Sequence, residues 1–585
     1  MPALASAEEP AVKMGDTVKS LEFKDIRYLP RSLEELGEHK AIVFAFLNTT
    51  CPLAQRYLPR LKSLHAVYGK HRVQFVAVNV GAADSIQDMA AHALEHEALF
   101  PFVKDVSGQC VQALGVLRTP EVAVLDAKRR LVYRGRVDDQ YRFGGALPKP
   151  RRNDLEEALK EILAGKKVSR AETPVDGCLI TIEKSGISGQ PKNIAGLTFA
   201  EHVAPLMKKH CGECHRPGTA APFSLLTFKD VAAQKEMIAE VVAERRMPPW
   251  YASPRHGTFQ NDRSLSEKDR RTILKWLRGG MAPGELDAVS VEASPRKQSR
   301  WQIGKPDLVL NMLVPEQLPA DGFIRYKYTV FPHVFVSDTW VEAIEILPDN
   351  RRVVHHANLA YAAPGKKPGH ATFITGYVPG GQALDLTHFD NGVAFRIPAL
   401  SVLGLQIHYT TTGKPEKCRI AIGLRFSRRP VKKRLHHVLM DPHGFRIPPH
   451  HPAFPVRESV TLQNDVTLLG LFTHMHVRGK DMTFSAFHPG GRKETLLQIP
   501  NFSFDWQQGY EIKAGTKRLK KGTRLEALAH YDNSAFNPYN PDPDATVRYG
   551  PQTIHEMMNG YVFFTVDSEN LNLKIDPKTG FQIRK

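Results

Sequence analysis

Two histidines spaced two apart, His474 and His476, follow the apolar run VTLLGLF. In an extended strand, side chains two positions apart point to the same face, so this spacing aims both imidazoles in one direction. Imidazole is a ligand for copper, zinc and iron. The pair therefore predicts half of a metal site, and a row of polar side chains facing solvent is the alternative.

Three further histidines and a methionine stand in the same C-terminal half of the chain. His355 and His356 are adjacent in RRVVHHANLAY, His408 lies in LGLQIHYT, and Met557 precedes an aromatic run in HEMMNGYVFF. A thioether favours copper, so this set of ligands suits ions that alternate between Cu(II) and Cu(I). Each piece also has a structural alternative, because adjacent histidines in a regular strand face opposite ways.

Taken in order, these pieces resemble the copper type II ascorbate-dependent monooxygenases, the family of peptidylglycine α-hydroxylating monooxygenase and dopamine β-monooxygenase. The resemblance covers about residues 325–567, through VVHHANL, LQIHYT, THMHVRGK and HEMMNGYVFF. It implies two coppers that each store one electron, and hydroxylation of an organic C–H bond with O2. It further implies an electron-storing copper on His355, His356 and His408, and a catalytic, oxygen-activating copper on His474, His476 and Met557.

The chain departs from that family in ways that concern the substrate and the fold. Peptide-hydroxylating members carry an arginine that binds the substrate carboxylate where this chain has Phe472. Phenylalanine cannot form a bidentate ion pair, so a peptide ending in glycine is disfavoured. Asn559 and Tyr561 match positions lining the family's pocket and are candidate substrate-binding residues. The family core is rich in disulfides, but this region holds only Cys418.

A second cofactor motif stands near the middle of the chain. KKHCGECHRPG contains C-x-x-C-H, at Cys211, Cys214 and His215. Two thiols one helical turn apart can each form a thioether to a haem vinyl group, and the adjacent histidine can bind the iron. A redox dithiol and half of a zinc site are the alternatives. The segment resembles a class I c-type cytochrome domain, which implies one covalently bound haem c.

A sixth iron ligand is expected from a methionine. Met247 lies in the Pro-containing stretch RRMPPWYA and is the preferred candidate, ahead of Met237 and Met281. The cytochrome resemblance also implies a compartment, because bacterial proteins receive covalent haem outside the cytoplasmic membrane. We therefore expect a periplasmic or secreted protein, and the small residues of ASA near the start are typical of a signal-peptide cleavage site.

A redox thiol is the third chemical candidate. Cys51 lies where a buried strand gives way to a helix, and the N-terminus of a helix lowers the pKa of a thiol. Residues 14–168 resemble thioredoxin-like redoxins, with Thr119-Pro120 at the place of their cis-proline.

The predicted thiol site departs from both redoxin motifs. Ala54 removes the second cysteine of C-x-x-C, and Asn48 replaces the threonine of the peroxidase motif T-x-x-C. Cys110, on a short predicted helix, is then the candidate to resolve Cys51. A scaffold domain without redox activity is the alternative.

The patterns of hydrophobic residues predict the elements that must position these groups. Alternating strands and helices over 14–168 indicate an α/β thioredoxin-like domain. Residues 196–286 predict an all-α cytochrome c domain. Short strands with Pro- and Gly-rich turns predict two antiparallel β-sandwich (jelly-roll) domains over 301–435 and 436–570.

Composition narrows the classes of function. The chain has 585 residues and a formal charge of +18, but it shows no nucleic-acid-binding module. No apolar run reaches about 18 residues, so no membrane span is expected. The six cysteines are too scattered for a disulfide framework.

The sequence therefore favours an exported oxidoreductase, a copper monooxygenase whose electrons pass through a fused c-type haem. Its expected partners are O2, a small organic substrate or peptide, and an electron donor such as ascorbate, a quinol-linked protein or a cytochrome. The alternatives are a non-catalytic redox or copper-handling electron-transfer protein, and a thiol peroxidase-like enzyme centred on Cys51.

Overall fold

Strands and helices alternate in the N-terminal part of the computed structural model. Its strands are β1 (Glu22–Asp25), β2 (Pro30–Ser32), β3 (Ala41–Leu47), β4 (Val73–Asn79), β5 (Phe102–Lys104), β6 (Arg118–Thr119), β7 (Glu121–Asp126), β8 (Leu131–Gly135), β9 (Tyr141–Arg142), β10 (Gly145–Ala146) and β11 (Cys178–Leu179). Its helices are α1 (Pro52–Tyr68), α2 (Ile86–Glu95), α3 (Gln109–Leu114) and α4 (Asp154–Leu163).

A seven-stranded sheet organises this part in the order β2-β1-β5-β4-β3-β7-β8. β3 and β4 are parallel, whereas β7 runs antiparallel to β3. Every residue of β3 is buried, as expected for a strand covered on both faces. Separate apolar cores fill the two faces, and the predicted α/β organisation is confirmed.

The structure describes most of residues 12–583. The exceptions are 82–83, 143–144, 147–148, 181–195, 218, 220, 222, 287–299, 321–323, 365–370, 390–391 and 413–414. Among the described residues, no helix is both long enough and apolar enough to cross a bilayer.

The described residues of 196–286 form helices and no strand. A π-helical turn (Phe199–Val203) leads into α5 (Ala204–His210), which is followed by α6 (Phe228–Ala233), α7 (Lys235–Ala243) and α8 (Glu267–Arg278). Ser266 caps α8, where its side chain accepts a hydrogen bond from the backbone N–H of Asp269. Phe199, Met207 and Trp276 pack into one core, which holds the C-x-x-C-H segment at its edge.

Antiparallel sheets begin after residue 300. The first set contains β12 (Leu308–Asn311), β13 (Glu316–Leu318), β14 (Lys327–Val334), β15 (Thr339–Pro348), β16 (Val354–Ala362), β17 (Thr372–Tyr377), β18 (Leu384–Asp385), β19 (Val393–Ile397), β20 (Val402–Tyr409), β21 (Glu416–Cys418), β22 (Ile420–Phe426) and β23 (Lys433–Arg434). A sheet with the order β12-β22-β15-β19-β23 faces a second sheet with the order β14-β20-β16-β17. One apolar core lies between the two sheets.

A second pair of sheets follows. Its strands are β24 (His436–Met440), β25 (Arg446–Ile447), β26 (Phe454–Thr461), β27 (Val466–His474), β28 (Gly479–Phe487), β29 (Lys493–Ile499), β30 (Gly509–Glu511), β31 (Arg518–Leu519), β32 (Arg524–Tyr531), β33 (Val547–Arg548) and β34 (Asn559–Val566). The order β24-β34-β27-β30 faces β26-β32-β28-β29. The predicted β-rich character of this half is confirmed, and its assignment to a copper family stays a prediction.

The second sandwich contacts each of the other parts. Arg27 of the N-terminal part forms an ion pair with Asp532 at 3.3 Å. The ring of Trp250, from the helical part, lies 5.0 Å from that of Tyr510. The carboxylate of Asp505 accepts a hydrogen bond from His355 of the first sandwich. The chemical candidates are therefore parts of one packed assembly.

Candidate functional site

A β-bulge brings three histidines of the first sandwich together. β16 and β20 are antiparallel, with Val354 opposite Tyr409 and His356 opposite His408, so that the register shifts across His355. A bulge places one extra residue on a strand and re-aims its side chain. The expectation that adjacent histidines face opposite ways therefore fails here, because His355 and His356 do not lie on a regular strand.

The three imidazoles have the spacing of metal ligands. One ring nitrogen from each of His355, His356 and His408 lies within 4.8 Å of the other two. The Nδ1 atoms of His355 and His356 are 3.0 Å apart, the separation of two ligands held at about 2.0 Å from one ion at close to a right angle. The Nε2–H of His355 donates to the Asp505 carboxylate at 2.9 Å. That carboxylate is the kind of outer partner that orients a metal-binding histidine.

The second pair of imidazoles lies at the end of β27. His474 closes the strand, and the Nδ1–H of His476 donates to the backbone carbonyl of His555 at 3.1 Å. The Nδ1–H of His474 donates to the side-chain carbonyl of Gln507. Both outer bonds use Nδ1, so both rings have Nε2 left for another partner.

The two sets of imidazoles adjoin one another. The ring of His356 lies 6.0 Å from that of His474, and His474 lies 5.1 Å from His476. Tyr326 packs against both sets, with its ring 4.9 Å from His408 and 6.3 Å from His476. The structure therefore places all five rings in one histidine cluster between the sandwiches, whereas the sequence predicts two separate cages.

Burial holds four of these imidazoles, those of His356, His408, His474 and His476, in the neutral form. It lowers the pKa of His408 to about 3 and lowers the pKa of His474, whose hydrogen bond to Gln507 acts in the opposite direction. Burial, followed by the neighbouring imidazoles, places the pKa of His356 well below its usual range, and burial does the same for His476. Neutral imidazole is the form that binds a metal ion.

Unpartnered nitrogens provide the test of whether a metal fits. His408 Nδ1 and His476 Nε2 are buried without a hydrogen-bond partner among the described residues. A buried polar atom without a partner costs about 1–3 kcal/mol, which a bound ion would recover. Imidazole nitrogens with few nearby carboxylates suit copper better than magnesium or calcium. The residues present therefore fit copper.

The predicted thioether lies beside the second pair. Asn559 is directly opposite His474 in the pairing of β27 and β34, and Met557 precedes Asn559 by two residues. Met558 is fully buried in the core, whereas Met557 is only half-buried. Met557 thus leads into the strand that pairs with His474. Its role as a ligand stays a prediction.

Aromatic rings surround the candidate substrate residues. Tyr561 is opposite Phe472 on β34 and β27, and its ring lies 4.5 Å from Phe373 of the first sandwich. Phe472 and Phe373 line a cavity of about 150 Å³ that also contacts Gln507, the partner of His474. The surroundings of this cavity are largely apolar.

The C-x-x-C-H motif forms a tight turn after α5. The backbone N–H groups of Cys214 and His215 both donate to the carbonyl of Cys211, at 3.1 and 2.8 Å. The Nδ1–H of His215 donates to the carbonyl of Phe223 at 3.2 Å, which leaves Nε2 for another ligand. This arrangement fits the attachment of a c-type haem with His215 as one axial ligand.

The haem motif also contacts the first sandwich. A Cβ atom placed on Gly380, in the loop after β17, would lie 3.1 Å from Cys214 Sγ. The Arg263 guanidinium donates to the Gly380 carbonyl. The C-x-x-C-H turn is thus held against the domain that carries His355, His356 and His408.

The three candidate methionines lie in different surroundings. Met247 lines a cavity with residues of the N-terminal part and of the second sandwich, including Tyr28 and Phe504. Met281 packs against the helical core together with Cys211, and Met237 is exposed. The choice of Met247 as the sixth ligand stays a prediction, with Met281 as the competitor that shares a core with the motif.

Cys51 is the residue immediately before α1 and is almost fully buried. Its thiol donates to the carbonyl of Thr119 at 3.2 Å, next to the cis Thr119–Pro120 bond. Burial acts to raise the pKa of Cys51, but the backbone N–H of Ala54 and the side chains of Thr119 and Cys178 outweigh it, so the pKa is lowered. The thiolate is the reactive form of cysteine, so this environment favours a nucleophile.

The proposed partner Cys110 lies on the wrong face of the sheet. Cys110 belongs to one apolar core and Cys51 to the other, and burial places the pKa of Cys110 well above its usual range. The Cys110 thiol donates instead to the carbonyl of Glu22. Cys178 instead lies on the Cys51 side of the sheet, where it packs against the same apolar core and pairs opposite Thr119.

Sequence patterns miss the outer partners of the site. Asp505, Gln507 and Tyr326 come from loops whose positions no local periodicity specifies. The strongest available signal was the position of FDWQQ between two predicted strands, since polar loop residues are frequent at functional sites.

Comparison with known proteins identifies the N-terminal part. Residues 13–148 match the family described as Redoxin. The thiol-disulfide oxidoreductase ResA of Geobacillus thermodenitrificans (strain NG80-2) is 28% identical over 119 residues, 20% of this chain and 67% of that protein. This part of the chain is therefore a thioredoxin-like redoxin domain of an oxidoreductase type.

Solved structures of similar proteins each cover less than a third of the chain. The hypothetical protein SMc02350 from Sinorhizobium meliloti 1021 is 26% identical, with 29% of this chain and 94% of that chain covered and a TM-score of 0.27. The peroxidoxin BcpB from Mycobacterium tuberculosis is 20% identical, with 26% and 97% covered and a TM-score of 0.21.

Proposed function

We propose that this protein is an exported copper-dependent monooxygenase that hydroxylates a C–H bond of a small organic substrate. The observation that carries the proposal is the histidine cluster. Three of its imidazoles have mutual distances that one ion can bridge. The rings of His474 and His476 lie alongside, and His476 Nε2 is buried without a hydrogen-bond partner among the described residues. Bound copper would supply one-electron redox chemistry and the activation of O2.

His355, His356 and His408 would hold one copper, and His474, His476 and Met557 the other. Asp505 and Gln507 orient two of these rings through the nitrogen that faces away from the metal. Tyr326 and Phe504 pack against the rings and limit the access of water. The protein thus contributes fixed ligands in a largely dry setting.

The haem motif would supply electrons to this cluster. Its Cys214 lies against the Gly380 loop of the first sandwich. The same sandwich carries His355, His356 and His408. A haem on Cys211, Cys214 and His215 would therefore be adjacent to the domain of the electron-storing copper. Ascorbate, a quinol-linked protein or a soluble cytochrome is the expected external donor.

An apolar substrate suits the cavity beside the second pair of histidines. Phe472 and Phe373 line it, and Tyr561 packs on both rings. No arginine stands at the Phe472 position to bind a carboxylate, and the guanidinium of Arg263, which lines the cavity, donates to the Gly380 carbonyl. We therefore propose a small aromatic or aliphatic compound rather than an acidic peptide. Asn559 and Tyr561 stay candidate substrate-binding residues behind this lining.

Oxygen transfer tests this function directly. Copper-loaded protein with ascorbate would be incubated under isotopically labelled O2 with phenethylamine, toluene and an N-acylglycine. Label in a hydroxylated product of phenethylamine or of toluene, abolished by Met557→Ala, is the expected result. Label only in the N-acylglycine product would contradict the assignment of the substrate class. Absence of label from every product, with copper bound, would remove these substrate classes from the proposal.

A second function, thiol-based redox chemistry at Cys51, is favoured by the redoxin match and by the lowered pKa of this thiol. The reaction would be thiol–disulfide exchange or the reduction of a peroxide. Consumption of hydrogen peroxide with dithiothreitol should disappear in Cys51→Ser and persist in Cys110→Ser. No consumption by the parent protein would exclude the peroxidase form of this function.

A further inference from the structure

The segment after α4 places a second thiol beside Cys51. Cys178 begins β11, which pairs antiparallel with β6, so that Cys178 is directly opposite Thr119. Thr119 is also the residue whose carbonyl accepts the hydrogen bond from Cys51. Both cysteines therefore meet at one backbone position, although 127 residues separate them in sequence.

The two cysteines lie on the same side of the sheet. Cys178 packs against the apolar core to which Cys51 belongs, and its side chain influences the pKa of the Cys51 thiol. Cys51 is 1% exposed, whereas Cys178 is half-buried at the rim. The pair thus has one inner and one outer sulfur.

The position of Cys178 is specified by its neighbour. A Cβ atom on Gly177 would lie 2.1 Å from the Thr119 carbonyl oxygen, so only glycine permits this close approach. The Arg118 guanidinium donates to the Gly177 carbonyl at 2.7 Å. β11 is therefore held against β6 by three features: the close backbone contact at Gly177, the hydrogen bond from Arg118 and the pairing of the strands.

We propose that Cys51 and Cys178 form a reversible disulfide, with Cys178 replacing the second cysteine that the motif at Ala54 lacks. This proposal deepens the thiol function suggested above by naming its second sulfur. It does not depend on copper, on haem or on peroxide reduction. In the reduced structure both sulfurs are thiols, and in the oxidised one a single S–S bond joins them.

The oxidant for this pair of thiols is an external disulfide, either a small molecule or a protein, and the reaction takes two exchange steps. The outer Cys178 loses a proton and attacks the external S–S bond, which forms a mixed disulfide and releases one external thiolate. The inner Cys51 loses its proton and attacks the Cys178 sulfur, which forms the Cys51–Cys178 bond and releases the second external thiolate. Two electrons and two protons leave the protein, and the external disulfide becomes two thiols.

Reduction runs through the same contacts in reverse. An external thiolate reaches the outer sulfur of Cys178, and Cys51 departs as the leaving group. A leaving thiol with a lower pKa departs faster, so the hydrogen bonds that stabilise the Cys51 thiolate favour this direction. The couple is therefore arranged to accept electrons from a thiol donor at Cys178.

Equilibration with glutathione tests the proposal on the full chain. Protein would be incubated in mixtures of glutathione and glutathione disulfide, quenched with acid, alkylated and digested for mass spectrometry. We expect two thiols to become inaccessible together and a cross-linked peptide to join Cys51 to Cys178. Cys110 and Cys418 are buried elsewhere and should stay as thiols in every mixture.

Variants separate this disulfide from other outcomes. Cys178→Ser and Cys178→Ala should abolish the cross-link, while Cys110→Ala should leave it intact. A cross-link from Cys51 to Cys110, or free Cys51 and Cys178 thiols in pure glutathione disulfide, would overturn the proposal. Loss of peroxide reduction with an intact cross-link would instead contradict only the peroxidase form of the thiol function.

Discussion

At the residue scale, hydrogen bonds on the outer side of each ring decide which nitrogen faces the histidine cluster. His355 uses Nε2 for Asp505, whereas His474 and His476 use Nδ1 for Gln507 and a backbone carbonyl. The first set thus offers Nδ1 and the second offers Nε2. Such outer bonds fix the ring orientation and the tautomer before any metal arrives.

Gln507 should matter for metal binding although it is not a ligand. Gln507→Leu removes the acceptor that orients His474, and loss of such a partner typically weakens metal binding about 10–100-fold. A competition titration of Cu(I) against bicinchoninate would measure this loss for one of two coppers. The adjacent Gln508→Leu is the control, because Gln508 donates to the Pro249 carbonyl and not to a histidine. Equal affinities for the two variants would contradict the assigned role.

Met557 should determine the chemistry of the second copper. Met557→Ala and the more conservative Met557→Leu both remove the sulfur, and we expect Cu(I) affinity at one site to fall by about 100-fold or more, beyond the effect of an outer partner. Oxygen uptake with substrate should be abolished while the optical spectrum of the haem is unchanged. Turnover that survives in both variants would show that the thioether is not a ligand.

Sequence spacing predicts only some of the candidate metal ligands and redox cysteines. Strand periodicity aims the H-x-H pair in one direction, and the family resemblance nominates the other three imidazoles. Periodicity alone does not predict the direction of His355, because that residue lies at a bulge. Cys178 was not predictable, since its contact with Cys51 depends on a two-residue strand after a long loop. The sixth haem ligand stays a prediction, because sequence proximity to C-x-x-C-H does not determine which surface the loop of Met247 follows.

At the element scale, short irregularities in regular strands build the sites. The bulge in β16 turns His355 toward His356, and the pairing of β11 with β6 carries Cys178 to Cys51. Both features depend on long-range pairing and carry no strong local signal. The regular strands and helices around them follow from hydrophobic periodicity, which is why the α/β and β-rich parts were predictable.

Gly177 should control the formation of the disulfide. Gly177→Ala would force a Cβ atom against the Thr119 carbonyl, and such overpacking costs about 1–3 kcal/mol. We expect β11 to leave β6 and the cross-linked peptide to fall about 5–150-fold at a fixed glutathione ratio. Gly509→Ala is the control, since a Cβ there meets nothing within 4 Å. Cross-linking that is equal in both variants would contradict this role.

Helix α2 should make the N-terminal domain sensitive to acid. Burial, followed by His96, lowers the pKa of His92 to about 4, although Glu95 and Asp84 act in the opposite direction. The unfolded chain binds a proton near pH 6.5, so stability is lost as the pH falls from about 6.5 towards 4. At pH 5 the loss from this group is about 2 kcal/mol relative to pH 7.

Hydrogen exchange of α2 peptides at pH 7 and pH 5, corrected for intrinsic rates, would measure this effect. His92→Leu should reduce the difference between the two pH values, because the side chain no longer binds a proton. The exposed His71→Leu should retain the full difference. An undiminished difference in His92→Leu would show that another group causes the acid sensitivity.

At the scale of the whole molecule, the second sandwich joins the three candidate redox centres. It provides two of the five imidazoles, contacts the redoxin domain through Asp532, and packs on the helical part through Tyr510. The haem motif reaches the first sandwich at Gly380. The redoxin domain and the helical part thus each contact a sandwich that carries histidines of the cluster.

Copper stoichiometry tests the central claim most directly. Full-length protein would be loaded with copper, freed of excess ion by gel filtration and measured by elemental mass spectrometry. We predict about two coppers per chain, about one in His356→Ala and in His476→Ala, and about two in the control His333→Ala, a strand histidine outside the histidine cluster. Wild-type protein that retains no copper, or variants that retain as much as wild type, would contradict the account.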